Sequence, residues 1–502
     1  MNTLLNAMKN ASNYTYTENG AVTHKTTNSA LLDMFGMGGS MRNRSDEDII
    51  FMFKKAYDEN PEYALKCLFY LRDVRGGQGE RRFFRTVINW LASEDKDAVI
   101  RNLEAIPEMG RWDDLYSLMD TPCENEALDF MLRQITLDVT SKTPSLLAKW
   151  LKSENTSSAE SRRLGTKTRL YFGLDPRTYR KMLSALRTKI NVLEKLMSQN
   201  RWDEIEFDKI SSKAGLIYKN VFATKDVTKA RYAAFMANKE TKVNAGVLNP
   251  VDIAEQIFST SYRMPSKTER LAWDKYWANL KDYYNGREER GIAVVDVSGS
   301  MYGTPLYAAV SMGAYIAERG KGPFQNHFIT FSSNPELVKF EGVDLYDKFK
   351  RAQGANWNNN TNIVAVFDLL LNTAKKNHVP QEEMPETLYI FSDMEFDGCM
   401  YYPAYDKYGR RGYARLKSAN EVNTLIEYKA KEWAAAGYKV PNVIFWNLDA
   451  RQDNVPAIGD GFFYVSGNSM NVIESILSRT PPKTATELMM DVLNRERYKN
   501  IH

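Results

Sequence analysis

The sequence predicts a multidomain chain: an all-α array of stacked helices, followed by an α/β domain built on a doubly wound, mostly parallel sheet. Three observations carry this expectation. The chain has 502 residues, more than one ordinary hydrophobic core accommodates. Between residues 45 and 288 apolar side chains recur at helical spacing, segment after segment. From 289 to 480 short runs rich in Val, Ile, Phe and Tyr alternate with helical segments, the pattern of parallel strands joined by helices.

The elements follow in chain order. Residues 1–44 are rich in Asn, Thr, Gly and Met, and read as a flexible N-terminal arm. Regular structure is expected to start at SDEDIIFMFKKAYDEN, where Ser45 followed by acids is a helix N-terminus signature. PEYALKCLFYLRDVR, RRFFRTVINWLAS, NEALDFMLRQITLDV, DPRTYRKMLSALRTKINVLEKLMS and KTERLAWDKYWANLKDYY then fit period 3.6 better than period 2. Many short helices in series, each with one apolar stripe, bury those stripes on their neighbours. A HEAT-like array over 45–288, making a curved surface or closing into a ring, is the natural solution. Beyond it, GIAVVDV, NHFITF, ETLYIFSD, VPNVIFWNL and GFFYVS read as strands, with helices between them, over 289–480. The segment 481–502, after a Pro-Pro pair, reads as one more helix.

Composition narrows the function classes. There are 67 basic and 63 acidic side chains, a formal net charge of +4, so the whole-chain charge neither demands nor excludes a nucleic-acid partner. The three cysteines, Cys67, Cys123 and Cys399, are far apart and show no CxxC spacing. That usage points to a reducing, cytoplasmic compartment without structural zinc. The four histidines do not pair at metal-ligand spacing, the N-terminus has no leader-like apolar run, and no window approaches a membrane span. A monomer without membrane contact is expected.

The stretch DVSGSM, residues 296–301, ends the first expected strand with one acid and two hydroxyls on alternate positions. In open α/β sheets ligands sit beyond the carboxyl ends of the strands. Asp296, Ser298 and Ser300 offer hard oxygens there, the donor set of a divalent cation such as Mg2+, with Mn2+ or Ca2+ as alternatives. Gly299 is expected to let the turn fold tightly. Later loops at the same edge supply Thr361, in NNNTN, and Asp393, in FSDME after the strand ETLYIF. Asp-x-Ser-x-Ser, a loop Thr and a strand-end Asp resemble the metal-ion-dependent adhesion site of von Willebrand factor A domains, and all five positions match in type and order. The resemblance implies that Asp296, Ser298, Ser300 and Thr361 ligate the ion directly or through water, and that Asp393 acts through water. It also implies an open coordination position for an acidic side chain of a protein partner or for a phosphate oxygen.

In the helical half, RDVRGGQGERRFF (72–84) sets three glycines among Arg72, Arg75, Arg81 and Arg82. Glycine-rich backbone with arginines can hold a phosphate; the same residues also read as an interhelical turn whose arginines pair with Asp73 and Glu80. It is neither a Walker loop nor a dinucleotide fingerprint, because no strand precedes it. SRRLGTKTR (161–169) carries Arg162, Arg163, Lys167 and Arg169 with no acid, and Arg177, Arg180 and Lys181 follow on the next helix. Such clusters suit phosphate contacts. In 161–169 the uncompensated cations are expected to repel one another until an anion arrives.

A helical array followed by a von Willebrand A domain resembles the Ro autoantigen family, the TROVE-module proteins. RDVRGGQGER, GRWDDL, NRWDEIEFDKISSKAG and NAGVLNPVDI resemble a Ro-related branch, and the likeness covers residues 30–480. It implies a non-catalytic scaffold that binds non-coding RNA, structured or single-stranded, through a basic helical ring. The competing expectation is a metal-dependent protein-protein interaction module without RNA. An enzyme is disfavoured: no His stands beside a Ser or Cys nucleophile, there is no HExxH, and no nucleotide loop is present. The Tyr- and Arg-rich insertion at 400–418, just after Asp393, is open between partner selection, RNA contact and a plain surface loop.

Overall fold

The computed structural model describes residues 13–190, 192–260, 263–331, 335–354, 361–397, 401–405, 411–415, 424–477 and 482–502, with backbone only for 331, 401–405, 411–415 and 425. The chain divides into two compact units, neither of them contiguous in sequence. One comprises Met1–Pro61, Leu248–Pro265 and Leu280–Arg495; the other comprises Glu62–Val247, Ser266–Asn279 and Glu496–His502.

The first unit is α/β. Its strands in chain order are β1 (Tyr14–Tyr16), β2 (Val22–His24), β3 (Gly291–Asp296), β4 (His327–Phe331), β5 (Glu336–Lys339), β6 (Thr387–Ser392), β7 (Tyr401–Tyr405), β8 (Arg411–Arg415), β9 (Asn442–Asn447) and β10 (Phe462–Ser466). Among the described residues, β10-β9-β6-β3-β4-β5 form a six-stranded sheet, parallel throughout except for β5, which runs antiparallel to β4 at the edge. All of β6, and β3 from Ile292 onward, are buried. Parallel strands covered on both faces read as continuous apolar runs, which is why GIAVV and TLYIF are conspicuous in the sequence. The edge strand β5 is not, because it buries only Val338 and so carries no apolar run.

The helix Thr304–Arg319 lies on β3 so closely that a Cβ on Gly313 would stand 2.4 Å from Val295 Cγ2. The helix Ala30–Met37 lies on β10, where a Cβ on Gly36 would stand 2.7 Å from the Tyr464 Cβ. The helix Pro250–Ser259 stacks Phe258 on Tyr307 at 4.8 Å.

The second unit is helical. Its helices include Pro61–Arg72, Arg82–Glu94, Glu124–Thr140, Ala159–Tyr171, Pro176–Lys189, Ser212–Thr224, Asp226–Ala237 and Lys267–Ala278. Their starts are set locally. Ser158 accepts from the Ser161 N–H; Asp175 accepts from those of Arg177 and Thr178, with Pro176 at the first helical position; Ser266 and Glu269 form a capping box. Arg82–Glu94 buries Phe83, Phe84, Val87, Ile88 and Leu91 on one face, as its periodicity requires.

A helical unit plus an α/β unit with a six-stranded sheet is therefore the architecture, and several expected boundaries change. The flexible arm expected over 1–44 is folded across its described part. Residues 13–44 form the β1–β2 hairpin, the buried helix Ala30–Met37 and a 3-10 helix, Gly38–Asn43; residues 1–12 lie outside the described residues. Their Asn- and Gly-rich composition suggests an arm, but Leu31, Leu32, Met34, Phe35 and Met37 are core side chains. The helices Asp46–Glu59 and Pro250–Ser259 fall in the α/β unit, not in a helical domain spanning 45–288. Periodicity shows that a stripe is buried, not which neighbour buries it. The stretch read as one helix from 175 to 198 breaks into Pro176–Lys189 and Leu193–Ser198. The helix expected over 481–502 runs only over Ala485–Leu493, and the last seven residues belong to the helical unit. In the 400–418 insertion β7 and β8 pair as an antiparallel hairpin, while 400, 406–410 and 416–418 lie outside the described residues.

Candidate metal centre

The sheet order reverses at β3: the strands that follow it in sequence, β4 and β6, flank it on opposite sides. Loops leaving such a point part to opposite faces and leave a crevice at the carboxyl ends. Asp296 ends β3 there, and Asp393 follows the last residue of the neighbouring β6.

Each side chain is held by local bonds. Asp296 is fully buried; its Oδ1 accepts from the Ser298 N–H at 2.9 Å and its Oδ2 from the Ser392 hydroxyl at 2.5 Å. Ser298 and Ser300 bring their Oγ atoms to 2.9 Å of each other across a 3-10 turn, Gly299–Met301. Gly299 opens this turn, where a tight turn was expected, without a positive φ; the neighbouring Gly303 has φ 95°, where the chain reverses into the helix Thr304–Arg319. Asp393 accepts from the Glu395 N–H at 3.1 Å on Oδ1 and pairs through Oδ2 with Arg451 Nη2 at 2.5 Å. Thr361 precedes the helix Ile363–Asn377, whose N-cap is Asn362. It joins the loop after β6 through Asp397, which accepts from the Thr361 N–H at 2.9 Å and from its hydroxyl at 3.3 Å.

The edge therefore gathers Asp296, Ser298, Ser300 and Asp393, and Thr361 is tied to the same loop. Burial and the nearby Asp393 carboxylate push the Asp296 carboxyl well above its ordinary range. A cation would remove that penalty. The donor set fits one: oxygens about 2.1 Å from an octahedral Mg2+ stand about 3.0 Å apart when adjacent, the spacing of the two serine hydroxyls. Among the described residues no three His, Cys, Asp or Glu side chains cluster as metal ligands, so a site here relies on hydroxyls beside two carboxylates. Sequence reading missed Ser392, which orients Asp296, and Arg451, which pairs with Asp393. The FSD run could have flagged Ser392; nothing local marks Arg451, 58 positions downstream of its partner.

The cations singled out for RNA part into two groups. Arg72 is buried, with Nε 2.8 Å and Nη2 2.7 Å from Asp114 Oδ2, so it is a structural cation and not a surface contact. The Arg75 guanidinium donates to the Glu108 carbonyl at 3.0 Å, whereas Glu80 accepts from the backbone N–H of Arg82 and not from its charge. The cations of 161–169 are not uncompensated, as they were expected to be. Arg163 meets Asp120 and Glu160, Lys167 meets Asp120 and Glu124, Arg169 meets Glu154, and Arg162 donates to the carbonyls of Thr156 and Ser157. The acids come from other segments, which a run-length view of charge cannot see. Arg81, Arg177, Arg180 and Lys181 are exposed, as Arg75, Arg162 and Arg163 also are, and Arg177, Arg180 and Lys181 stand on one helix at spacings that share a face.

One further cation escaped the sequence reading. Arg111 is partly buried and lies over the Trp150 ring, 4.9 Å from its centroid. Burial first, then the charges of Arg81 and Arg72, lower its pKa.

Comparison with known proteins places these features. The family described as Domain of unknown function (DUF2828) matches residues 17–169 and 136–285, together more than half of the chain. The chain belongs to that family. The DUF2828 match holds Arg81, Arg111 and Trp150 and ends before Asp296. Residues 290–500, which hold all five candidate oxygen donors, match a second family, described as Domain of unknown function (DUF7788). Over its length this DUF2828 chain is similar to "Uncharacterized protein L728" of Acanthamoeba polyphaga mimivirus, 29% identical over 509 residues, covering 93% of this chain and 85% of that protein.

Proposed function

We propose that this protein is a non-catalytic binding scaffold whose α/β unit holds a divalent cation, Mg2+ first, on Asp296, Ser298, Ser300 and Thr361, with Asp393 acting through water. The observation that carries this reading is the pair of serine hydroxyls at 2.9 Å beside two buried strand-end carboxylates. The sheet order, with one antiparallel edge strand, supports the kinship with von Willebrand A domains. When bound, such a cation supplies a Lewis-acidic position open to an oxygen of an acidic partner group. The chain's own residues do the rest: Ser392 fixes the Asp296 carboxylate, and Asp397 holds Thr361. Titration of the full chain with Mn2+, read by electron paramagnetic resonance, is expected to show one site that Asp296→Ala weakens at least about tenfold. Equal stoichiometry and affinity in the variant would overturn the reading.

A second reading, a Ro-like role in binding non-coding RNA through the helical unit, is favoured by one observation. The Arg111 guanidinium is stacked on Trp150 with the Arg81 charge beside it, and the neighbouring acids Asp113 and Asp114 are taken up by Arg72 and Arg85. An arginine pair of this kind suits a phosphodiester. The double variant Arg81→Ala/Arg111→Ala is expected to weaken binding of a single-stranded oligouridylate and to lower the salt slope by about 2, one for each phosphate that is no longer neutralised. An unchanged slope would count against it.

A further inference from the structure

The N-terminal hairpin closes on the same edge. Between β1 and β2, the Thr17 hydroxyl donates to the Phe396 carbonyl at 2.6 Å, and the Glu18 N–H donates to Glu395 Oε2 at 2.6 Å. The Asn19 amide donates to the Glu395 carbonyl at 2.6 Å and to the Thr361 hydroxyl at 3.2 Å. On its other side the hairpin is stitched to the loop after β9, where the backbones of His24 and Val455 exchange bonds of 3.0 and 2.8 Å. The tip is thus fixed over the rim, and one of the proposed donors, Thr361, is held by it.

The Glu18 side chain does something different from these bonds. It reaches Arg451 Nη1 at 2.8 Å, while the other arm of the same guanidinium holds Asp393 at 2.5 Å. Arg451 therefore spans two carboxylates of unequal standing. Asp393 is fully buried, and breaking its pair would strand a charge in the protein interior. Glu18 is 38% exposed and Arg451 is 31% exposed, so that pair is a half-solvated ion pair of small net strength. An outside carboxylate can replace Glu18 at little cost without disturbing Asp393.

We propose that Glu18 is a built-in occupant of the partner site: its carboxylate sits on Arg451 where a carboxylate of an acidic peptide binds, and the peptide docks by displacing it. The inference rests on the metal reading. It makes the partner an acidic segment with two carboxylates, one for the cation and one for Arg451, and makes Arg451 a specificity-determining contact.

The test uses the full chain, Mg2+ and a fluorescein-labelled tetraglutamate peptide, followed by fluorescence anisotropy. Glu18→Gln keeps the backbone bond to Glu395 and removes only the competing charge. It is expected to tighten peptide binding by up to about fivefold, the factor that ~1 kcal/mol represents, with the melting temperature unchanged. Arg451→Gln is expected to weaken binding and to abolish the gain from Glu18→Gln, since the two substitutions act on one contact. Equal peptide affinity in wild type and Glu18→Gln, or no peptide binding by either while Mn2+ still binds at Asp296, would overturn this inference and leave the metal reading standing. Absence of an Mn2+ site in the wild type, or a site that Asp296→Ala leaves unchanged, would overturn both.

Discussion

Asp114 shows how much a single side chain settles in this protein. It is fully buried, and it accepts from Arg72 Nε at 2.8 Å, Arg85 Nε at 2.7 Å and the Arg111 N–H at 2.9 Å. Next to it Asp113 takes the other arm of Arg85 at 2.8 Å. The glycine-rich arginine loop and GRWDDL, whose Arg72 and Asp114 are 42 positions apart, are therefore one buried ion network. Asp73, expected to neutralise the loop's own arginines, pairs instead with Arg497 and accepts from Tyr498 near the C-terminus. Removing the shared acceptor strands the Arg72 charge in the core, and breaking such a buried pair costs about 3–5 kcal/mol. Asp114→Ala is thus expected to lose that much in urea unfolding, provided the variant folds. The exposed pair Arg163–Glu160 is the contrast: Glu160→Gln is expected to leave the unfolding midpoint where it is, because solvent already screens both charges.

Among the elements, the helix Thr304–Arg319 sets where the strand-end site lies. Gly313 permits its close approach to Val295, one residue before Asp296. Gly313→Ala puts a methyl group into a contact of 2.4 Å, and overpacking of this kind costs about 1–3 kcal/mol. The strand must also shift, so the same variant is expected to lower Mn2+ affinity although no proposed donor is changed. Retained affinity together with retained stability would show that the helix does not position the site. The strands of the sheet centre were legible because burial on both faces leaves unbroken apolar runs. The edge strand and the β7–β8 hairpin were not, since neither carries such a run.

At the scale of the whole chain, the two units are interleaved in sequence, and a cut at 288/289 does not separate them. A fragment of residues 289–502 would lack the helix Ala30–Met37, which covers β10, and the helix Pro250–Ser259, whose Phe258 stacks on Tyr307. Its strands would expose apolar faces to water, so the fragment is expected to show no cooperative thermal transition by near-ultraviolet circular dichroism. A sharp transition would mean that the α/β unit does not need its N-terminal and 248–265 segments.

Local chemistry alone determined the run of helices after Ser45, the apolar strands of the sheet centre, the caps at Ser45 and Asp175, and the placing of Asp296, Ser298 and Ser300 together at one strand end, because periodicity, capping and strand-end position act over a few residues. Only the tertiary structure decided which neighbours bury each helix, which cations of 161–169 are already neutralised, and which residues back the strand-end edge. Asp120, Glu124 and Glu154 reach those cations from other segments, and Asn19, Glu18 and Arg451 reach the edge from both ends of the chain. Ion pairs and shared carboxylates depend on separation in space, and a linear pattern fixes that separation only within one element.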